Sequence, residues 1–222
     1  ALKRGVNAAQ PATGGDTRPS TSWHPEFTDV NNDGFVDLFV SKGNVSAMPE
    51  YAEKDPSDLF LGQPDGTFVQ GAEAAGIVTF DRGRGAALAD LNADGLPDLV
   101  EVFYGAPARA WRNVGTGDAA IPAAMGSWLG IRLSQPGANR DAAGAQLEVE
   151  VGDVTIRHEV TIGGGHIGGQ LGPVHVGLGP SAEARIRVQW PDGETGPWMR
   201  VAANQYVVIE RGATEARPWP GP

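Results

Sequence analysis

Two nine-residue stretches carry the residue types of a metal-binding loop with oxygen ligands. Both read D-x-N-x-D-G-x-x-D, at residues 29–37 and 90–98. Oxygen-bearing side chains at loop positions 1, 3, 5 and 9 can surround Ca²⁺, which takes six to eight oxygen ligands, and the glycine at position 6 permits a sharp turn. The carbonyl of position 7 would add one backbone oxygen. The predicted ligands of two Ca²⁺ sites are Asp29, Asn31, Asp33, Phe35 and Asp37 in the first loop and Asp90, Asn92, Asp94, Leu96 and Asp98 in the second.

Two other structures fit parts of this pattern. Asp, Asn and Gly are frequent in turns without an ion, so each stretch could be a plain acidic turn, although the repetition of the same ligand types favours a cation. Residues 90–101 also satisfy the EF-hand string, with Glu101 at position 12. Pro97 and the β-branched and aromatic run after it argue against an EF-hand helix, and the first loop has Val40 in place of the glutamate. The sequence therefore predicts a strand after each loop.

Short predicted strands flank both loops. The segments 23–28 and 36–40 lie on either side of the first loop, and strands at 58–62 and 67–69 follow around an Asp-Gly hairpin turn. The pattern restarts at 85–89, continues at 98–104 and 108–112, and brings the second loop about 60 residues after the first. A period of this length with four strands is typical of one blade of a β-propeller.

The composition changes after a Gly/Ala-rich linker at 115–126. Six further strands are predicted at 128–134, 146–151, 155–162, 173–177, 184–190 and 205–210, at a spacing that favours a compact β-sandwich or barrel. The predicted fold is all-β, with calcium-binding blades of a partial propeller followed by a small β-sandwich-like domain. The predicted boundaries are 1–114 for two blades with the N-terminal tail of a preceding unit, 115–126 for the linker, 127–212 for the β-domain and 213–222 for a loose Pro-rich tail.

Composition limits the partners. The formal net charge of −10 argues against nucleic acid or an anionic membrane surface. The chain has no cysteine, which excludes disulfides and thiol chemistry, and it contains no apolar run of the roughly 18 residues that a membrane span needs. No signal peptide is visible at Ala1, and we expect further residues before it because the chain starts within what reads as a repeat array.

Both parts of the chain resemble known families. The two acidic stretches, with residues 65–68 (DGTF) and 74–77 (AAGI), are similar to FG-GAP/VCBS repeats, the calcium-binding blades of integrin-type propellers. The C-terminal part resembles the ASPIC/UnbV domain of the cartilage acidic protein-like family. The stretches that carry this second resemblance are 128–129, 139–145, 163–166, 175–179, 189–193 and 203–205.

The resemblance implies a secreted, multi-blade propeller followed by a small β-domain, and it implies binding or adhesion more readily than catalysis. Two departures matter. Two blades cannot close a propeller, which takes four to eight, so this chain would be a C-terminal fragment of a larger propeller protein or would be completed by blades from another chain. The family's usual serine after the glycine-rich stretch is Gly169 here, before Gln170, which leaves the role of the 163–170 loop open.

The sequence supports three functional hypotheses. The first is a calcium-stabilised extracellular or periplasmic binding or adhesion module for a protein or glycan ligand. The second is part of a propeller-based carbohydrate-active or biosynthetic tailoring enzyme, for which the nearby Arg82, Arg84 and His24 are too generic to assign as catalytic residues. The third is a structural subunit whose missing blades come from a partner. His166 and His175 could form a zinc pair, but hydrogen bonds within the β-domain explain them better.

Overall fold

The computed structural model describes residues 1–7, 18, 20–45, 52, 55–123, 125–166, 168–169 and 172–222. Parts of the predicted N-terminal tail, linker and 163–170 loop, namely residues 8–17, 19, 124, 167 and 170, lie outside the described residues. The fold is all-β, as predicted, and the one helix in the described part is a short 3-10 turn at Leu2–Arg4. No described helix has the length and apolarity to cross a membrane.

Two antiparallel meanders form the N-terminal half. The first N-terminal sheet has the order β1-β2-β3-β4, and the second has the order β5-β6-β7. Consecutive strands pair because short turns connect them, and Gly66, at a positive φ of 73° in the Asp-Gly turn, lets β3 reverse into β4. The strands are β1 (Ser22–Thr28), β2 (Asp37–Lys42), β3 (Asp58–Gly62), β4 (Phe68–Gln70), β5 (Arg82–Ala89), β6 (Asp98–Tyr104) and β7 (Ala106–Trp111).

Two four-stranded sheets form the C-terminal half. The β8 sheet has the order β11-β8-β14-β15, and the β9 sheet has the order β10-β9-β12-β13. All pairs are antiparallel except β8 with β14, which run parallel from Leu129–Gln205 to Ser134–Glu210. The strands are β8 (Ser127–Ser134), β9 (Gln146–Val151), β10 (Val154–Glu159), β11 (Val174–Gly179), β12 (Glu183–Gln189), β13 (Met199–Ala202), β14 (Gln205–Glu210) and β15 (Arg217–Pro218).

Each half has its own apolar core. In the C-terminal half, period-two alternation places one face of the β8 and β9 sheets inward, so that Leu129, Leu147 and Ile186 are fully buried. In the N-terminal half the core lies between the two sheets and includes Phe39 and Leu99. All six residues of β2 are buried because both of its faces are covered. On the face opposite Phe39, Leu38 and Val40 pack with Phe60 of β3 and with Val6 of the N-terminal segment.

Most predicted strands appear in the structure, within a few residues of their predicted ends. Two strands, β13 and β15, were not predicted. The segment that was predicted to be a loose tail instead pairs Val208 with Arg217 and donates a backbone hydrogen bond from Trp219 to Tyr206 (2.9 Å). Each of the four sheets is open within the described residues, so the propeller stays a prediction.

Candidate metal centres

The first acidic loop connects β1 to β2 and is held by its own side chains. The Asp29 carboxylate accepts hydrogen bonds from the N–H groups of Asp33 (3.2 Å) and Gly34 (2.7 Å). The Asp33 carboxylate accepts from the N–H of Phe35 (2.8 Å) and from the Asn31 amide (2.9 Å). These bonds form because Asp and Asn side chains reach backbone groups two or more residues ahead. They gather the predicted ligands at positions 1, 3 and 5 in one turn.

The second loop, between β5 and β6, repeats this arrangement. Asp90 accepts from the N–H groups of Asp94 (3.1 Å) and Gly95 (2.6 Å), and Asp94 accepts from Leu96 (3.0 Å) and from the Asn92 amide (2.8 Å). The backbones match as well. Position 4 of both loops has a positive φ (59° and 60°), and so does the glycine at position 6 (90° and 85°). The two stretches therefore have the same conformation as well as the same sequence pattern.

The position-9 carboxylates anchor each loop to the sheet behind it. Asp37 is fully buried and accepts from the N–H of the second residue of its loop (2.8 Å) and from Gly62 at the end of β3 (2.8 Å). Asp98 accepts from the second residue of its own loop (3.2 Å) and from Asn113 (2.7 Å). Each loop is thus closed across its base by a buried carboxylate.

Burial disfavours the charged form of several loop carboxylates. Burial raises the pKa of Asp29 to about 6, and the nearby Asp33 adds to the rise. Burial also raises the pKa of Asp37 to about 7, and it raises that of Asp98. Among the described residues, no Lys, Arg or His forms an ion pair with the three carboxylates of the first loop, whereas Asp94 in the second lies 3.5 Å from Arg112.

The donor chemistry of both loops fits Ca²⁺, because carboxylate and amide oxygens are its usual ligands and buried, uncompensated carboxylates favour a bound cation. Asp33 and Asp94 also line an open groove of about 750 Å³, so both loops can be reached from solvent. In the described part of the chain, no group of three His, Asp or Glu side chains is arranged to hold a metal ion. The ligand assignments of both loops, including the Phe35 and Leu96 carbonyls, therefore stay predictions.

The two loops are joined by the side-chain amides of Asn32 and Asn113, neither of which was predicted as a site residue. The Asn32 amide, at position 4 of the first loop, donates to the Gly95 carbonyl in the second loop (2.8 Å). The Asn113 amide donates to the carbonyls of Val30 (2.8 Å) and Pro97 (3.2 Å), one from each loop. Position 4 of the motif can be any residue type, but a left-handed backbone there favours Asn. The asparagine at position 4 of the first loop was therefore the one sequence feature that pointed to Asn32.

The β8 sheet covers both loops. Nε2 of His175 on β11 lies 2.7 Å from Oδ1 of Asn32, and the Gly179 N–H donates to the Asn32 carbonyl (2.9 Å). Burial and the neighbouring His158 lower the pKa of His175 to about 4. The imidazole is therefore neutral at physiological pH, and its Nε2–H is the donor, because Oδ1 of the Asn32 amide can only accept.

His166 and His175, the two histidines considered as a zinc pair, contact different parts of the protein. The His166 N–H donates to the Trp23 carbonyl (2.9 Å), and its ring lies 4.7 Å from that of Trp23. His175 instead faces Asn32 and stacks beside Trp128, with ring centroids 6.1 Å apart. The two histidines thus have different partners, and the described residues bring no third ligand to either of them.

Residues 135–216, which include strands β9 to β14, match a family model described as ASPIC and UnbV. The C-terminal part of this chain is thus similar to an ASPIC/UnbV domain. The family match starts immediately after β8, yet β8 is an inner strand of its sheet, between β11 and β14, and contributes Leu129 and Ile131 to the core. The ASPIC/UnbV domain is therefore extended at its N-terminus by one strand, while both acidic loops lie outside the matched region.

Part of the chain is also similar to cartilage acidic protein 1. The identity is 42% over 65 residues with the protein of Homo sapiens and 40% over 65 residues with that of Xenopus tropicalis; each match covers 29% of this chain and 10% of the relative. The mouse protein (Mus musculus) is 43% identical over 60 residues, which are 27% of this chain and 9% of the relative. The similarity thus spans about a tenth of the length of these relatives.

Proposed function

We propose that this chain is a calcium-stabilised extracellular binding or adhesion module that belongs to a larger propeller protein. The observation that carries the proposal is the pair of acidic loops, which share one hydrogen-bond pattern. In the first loop, the described residues provide no ion-pair partner for the buried carboxylates. Ca²⁺ would neutralise these carboxylates and join the two strands that each loop connects. Its role would be structural, because a site formed only in the folded chain converts binding energy into stability.

The open N-terminal sheets support the propeller part of the proposal. A four-stranded antiparallel meander is the unit of a propeller blade, and the first N-terminal sheet has that order. The second N-terminal sheet packs on it through Leu88 and Leu99, as successive blades would. On the outward face of the second sheet, Val102 is 38% exposed. That face would accept a further blade, supplied by the same chain or by another chain.

The C-terminal domain supports the extracellular setting. The chain shares an ASPIC/UnbV domain and local similarity with cartilage acidic protein 1, and a protein of that name in cartilage suggests a matrix or cell-surface environment. The lack of cysteine and the net charge of −10 agree with a secreted or periplasmic module. A protein or glycan would then be the ligand of the larger protein.

Calcium titration tests the structural part of the proposal. For two sites that are each saturated at 100 times Kd, the expected gain is about 2.7 kcal/mol per site. At roughly 2–4 °C per kcal/mol for a chain of this size, the melting temperature should rise by about 10–20 °C over the chelated protein. Native mass spectrometry should count two ions. An unchanged melting temperature and no bound ion would refute the proposal.

A matched pair of variants separates loop ligands from general acidity. Asp29→Asn removes a carboxylate from the first loop and should leave one bound Ca²⁺ ion. Asp153→Asn removes an exposed carboxylate from the β9–β10 turn and should leave two. Binding to a glycan array or to matrix proteins, with no turnover of polysaccharides, would support the binding role; cleaved products would contradict it.

A further inference from the structure

The ASPIC/UnbV domain touches a predicted ligand in the second loop directly. The Tyr206 hydroxyl on β14 donates to Oδ2 of Asp90 (2.6 Å), the oxygen that also accepts the Gly95 N–H. The hydroxyl is the donor in this bond, because an ionised carboxylate oxygen can only accept. A buried, charge-assisted bond of this kind fixes the orientation of a carboxylate.

The first loop is covered by β11, which lies on the opposite side of β8 from β14. Gly177 on β11 packs directly against Asp29, and a Cβ at this position would overlap Oδ2 of Asp29. The close contact therefore requires glycine. Two residues away, on either side of Gly177, His175 and Gly179 hold the Asn32 side chain and carbonyl. The position-1 aspartate of each loop is thus in contact with the same sheet, through a glycine in one loop and a tyrosine in the other.

Strand β8 fits between these two contacts. The Trp128 indole on β8 lies against Gly95, and a Cβ at Gly95 would overlap the indole ring. Just before the strand, a Cβ at Gly126 would overlap the Asn32 carbonyl. Since β11, β8 and β14 are neighbours in the sheet, one continuous surface spans both loops, with glycines at its points of closest approach.

We propose that the β8 sheet is a positioning element for both loops, so that cation binding and docking of the ASPIC/UnbV domain are coupled. The inference rests on the proposed calcium binding. Tyr206 and His175 do not act as ligands; they hold the residues beside or within the ligand set, as the hydrogen-bond partners of metal ligands commonly do. Because coupling is reciprocal, the docked sheet strengthens cation binding, and the bound cation strengthens docking of the sheet.

The first test measures cation affinity in the full chain. Tyr206→Phe removes only the hydroxyl and keeps the ring packed against Trp128 and Trp219. Isothermal titration with Ca²⁺ should show one of the two sites weakened about 10-fold, at the lower end of the range for lost partners of metal ligands, with the other site unchanged. Tyr104→Phe is the control, because Tyr104 is exposed on β6 and its aromatic face is retained.

The second test measures docking. The Gly179 N–H is bonded across the interface to Asn32, whereas the Gly196 N–H is bonded within the ASPIC/UnbV domain to Val188 (2.9 Å). Calcium should slow hydrogen exchange at Gly179 by about 10-fold or more relative to chelated protein, and it should slow exchange at Gly196 by much less. Gly177→Ala should abolish this difference, while Gly163→Ala, which places its Cβ in open space, should preserve it.

The outcomes separate the inference from the proposal beneath it. If the wild type binds no Ca²⁺, both fail. If it binds two ions but Tyr206→Phe titrates like the wild type and calcium leaves exchange at Gly179 unchanged, the positioning role is refuted and the calcium sites stand. A weakened site in Tyr206→Phe together with calcium-dependent protection of Gly179 establishes the coupling.

Discussion

Replacing Asn32 is the sharpest test of how the parts of this protein are held together. Its side chain is fully buried and joins three regions: its own loop, the second loop through Gly95, and the β8 sheet through His175. The residue also adopts a left-handed backbone conformation, which asparagine tolerates better than other non-glycine residues. Two variants can therefore separate the side-chain contribution from the backbone contribution.

Asn32→Gly keeps the backbone conformation and removes both side-chain hydrogen bonds. The Gly95 carbonyl and the His175 Nε2–H would then be left without partners in a buried site, at about 1–3 kcal/mol each. The expected loss of unfolding free energy is about 3 kcal/mol, which lowers the melting temperature of a chain of this size by roughly 6–12 °C. Asn32→Ala adds left-handed strain of about 1 kcal/mol and should melt lower still.

The assay is thermal unfolding followed by circular dichroism at saturating calcium, which keeps cation binding constant. The control is Ala93→Gly at the same position of the second loop, where φ is also positive but the side chain is exposed. Removing strain there should leave the melting temperature equal or slightly higher. If Asn32→Gly melts within about 1 °C of the wild type, the buried amide does not hold the loops and the β8 sheet together, and the reasoning is wrong.

Three further outcomes are expected at saturating calcium. Burial raises the pKa of Asp58 to about 6 despite its ion pair with Lys42, so between about pH 4 and 6 the folded protein keeps a proton that the unfolded chain loses. The stability of the wild type should therefore fall as the pH rises from about 4 to 6. Urea unfolding midpoints of Asp58→Asn should fall less over the same pH range. Oε2 of the buried Glu101 has no hydrogen-bond partner among the described residues, so Glu101→Gln should raise the melting temperature at pH 8, whereas the exposed Glu73→Gln should not change it. Leu147→Ala, in the ASPIC/UnbV core, should cost about 2–5 kcal/mol by urea unfolding.

Local patterns predicted what depends on local chemistry. Alternation along β6 and β9 and the Asp-Gly turn before β4 follow from neighbouring residues, and so does the shared shape of the two loops, whose bonds run between side chains and backbone a few residues apart. The rejection of an EF-hand also followed from local sequence, because Pro97 argued against a helix after the second loop. The structure has the strand β6 there.

The contacts across the chain had no local signal. Tyr206 and Asp90 are 116 residues apart, and His175 and Asn32 are 143 apart, so nothing in either neighbourhood indicates that they meet. β13 and β15 were missed for a related reason. Each has four residues or fewer and pairs along the edge of an existing sheet, where the partner strand supplies most of the interaction.

The parallel pairing of β8 with β14 has a consequence for biosynthesis. Asn204, beside β14, accepts a hydrogen bond from the Trp128 N–H at a separation of 76 residues. During synthesis, β8 therefore cannot pair with β14 until about 76 more residues have been added to the chain. Both acidic loops have left the ribosome by then, and the second loop lacks its hydrogen bond from Tyr206 until β14 has been made. Non-local pairing of this kind is slow. A newly made chain thus passes through a stage in which its N-terminal sheets can already form while its second loop is only partly covered and remains accessible to the ions of the compartment.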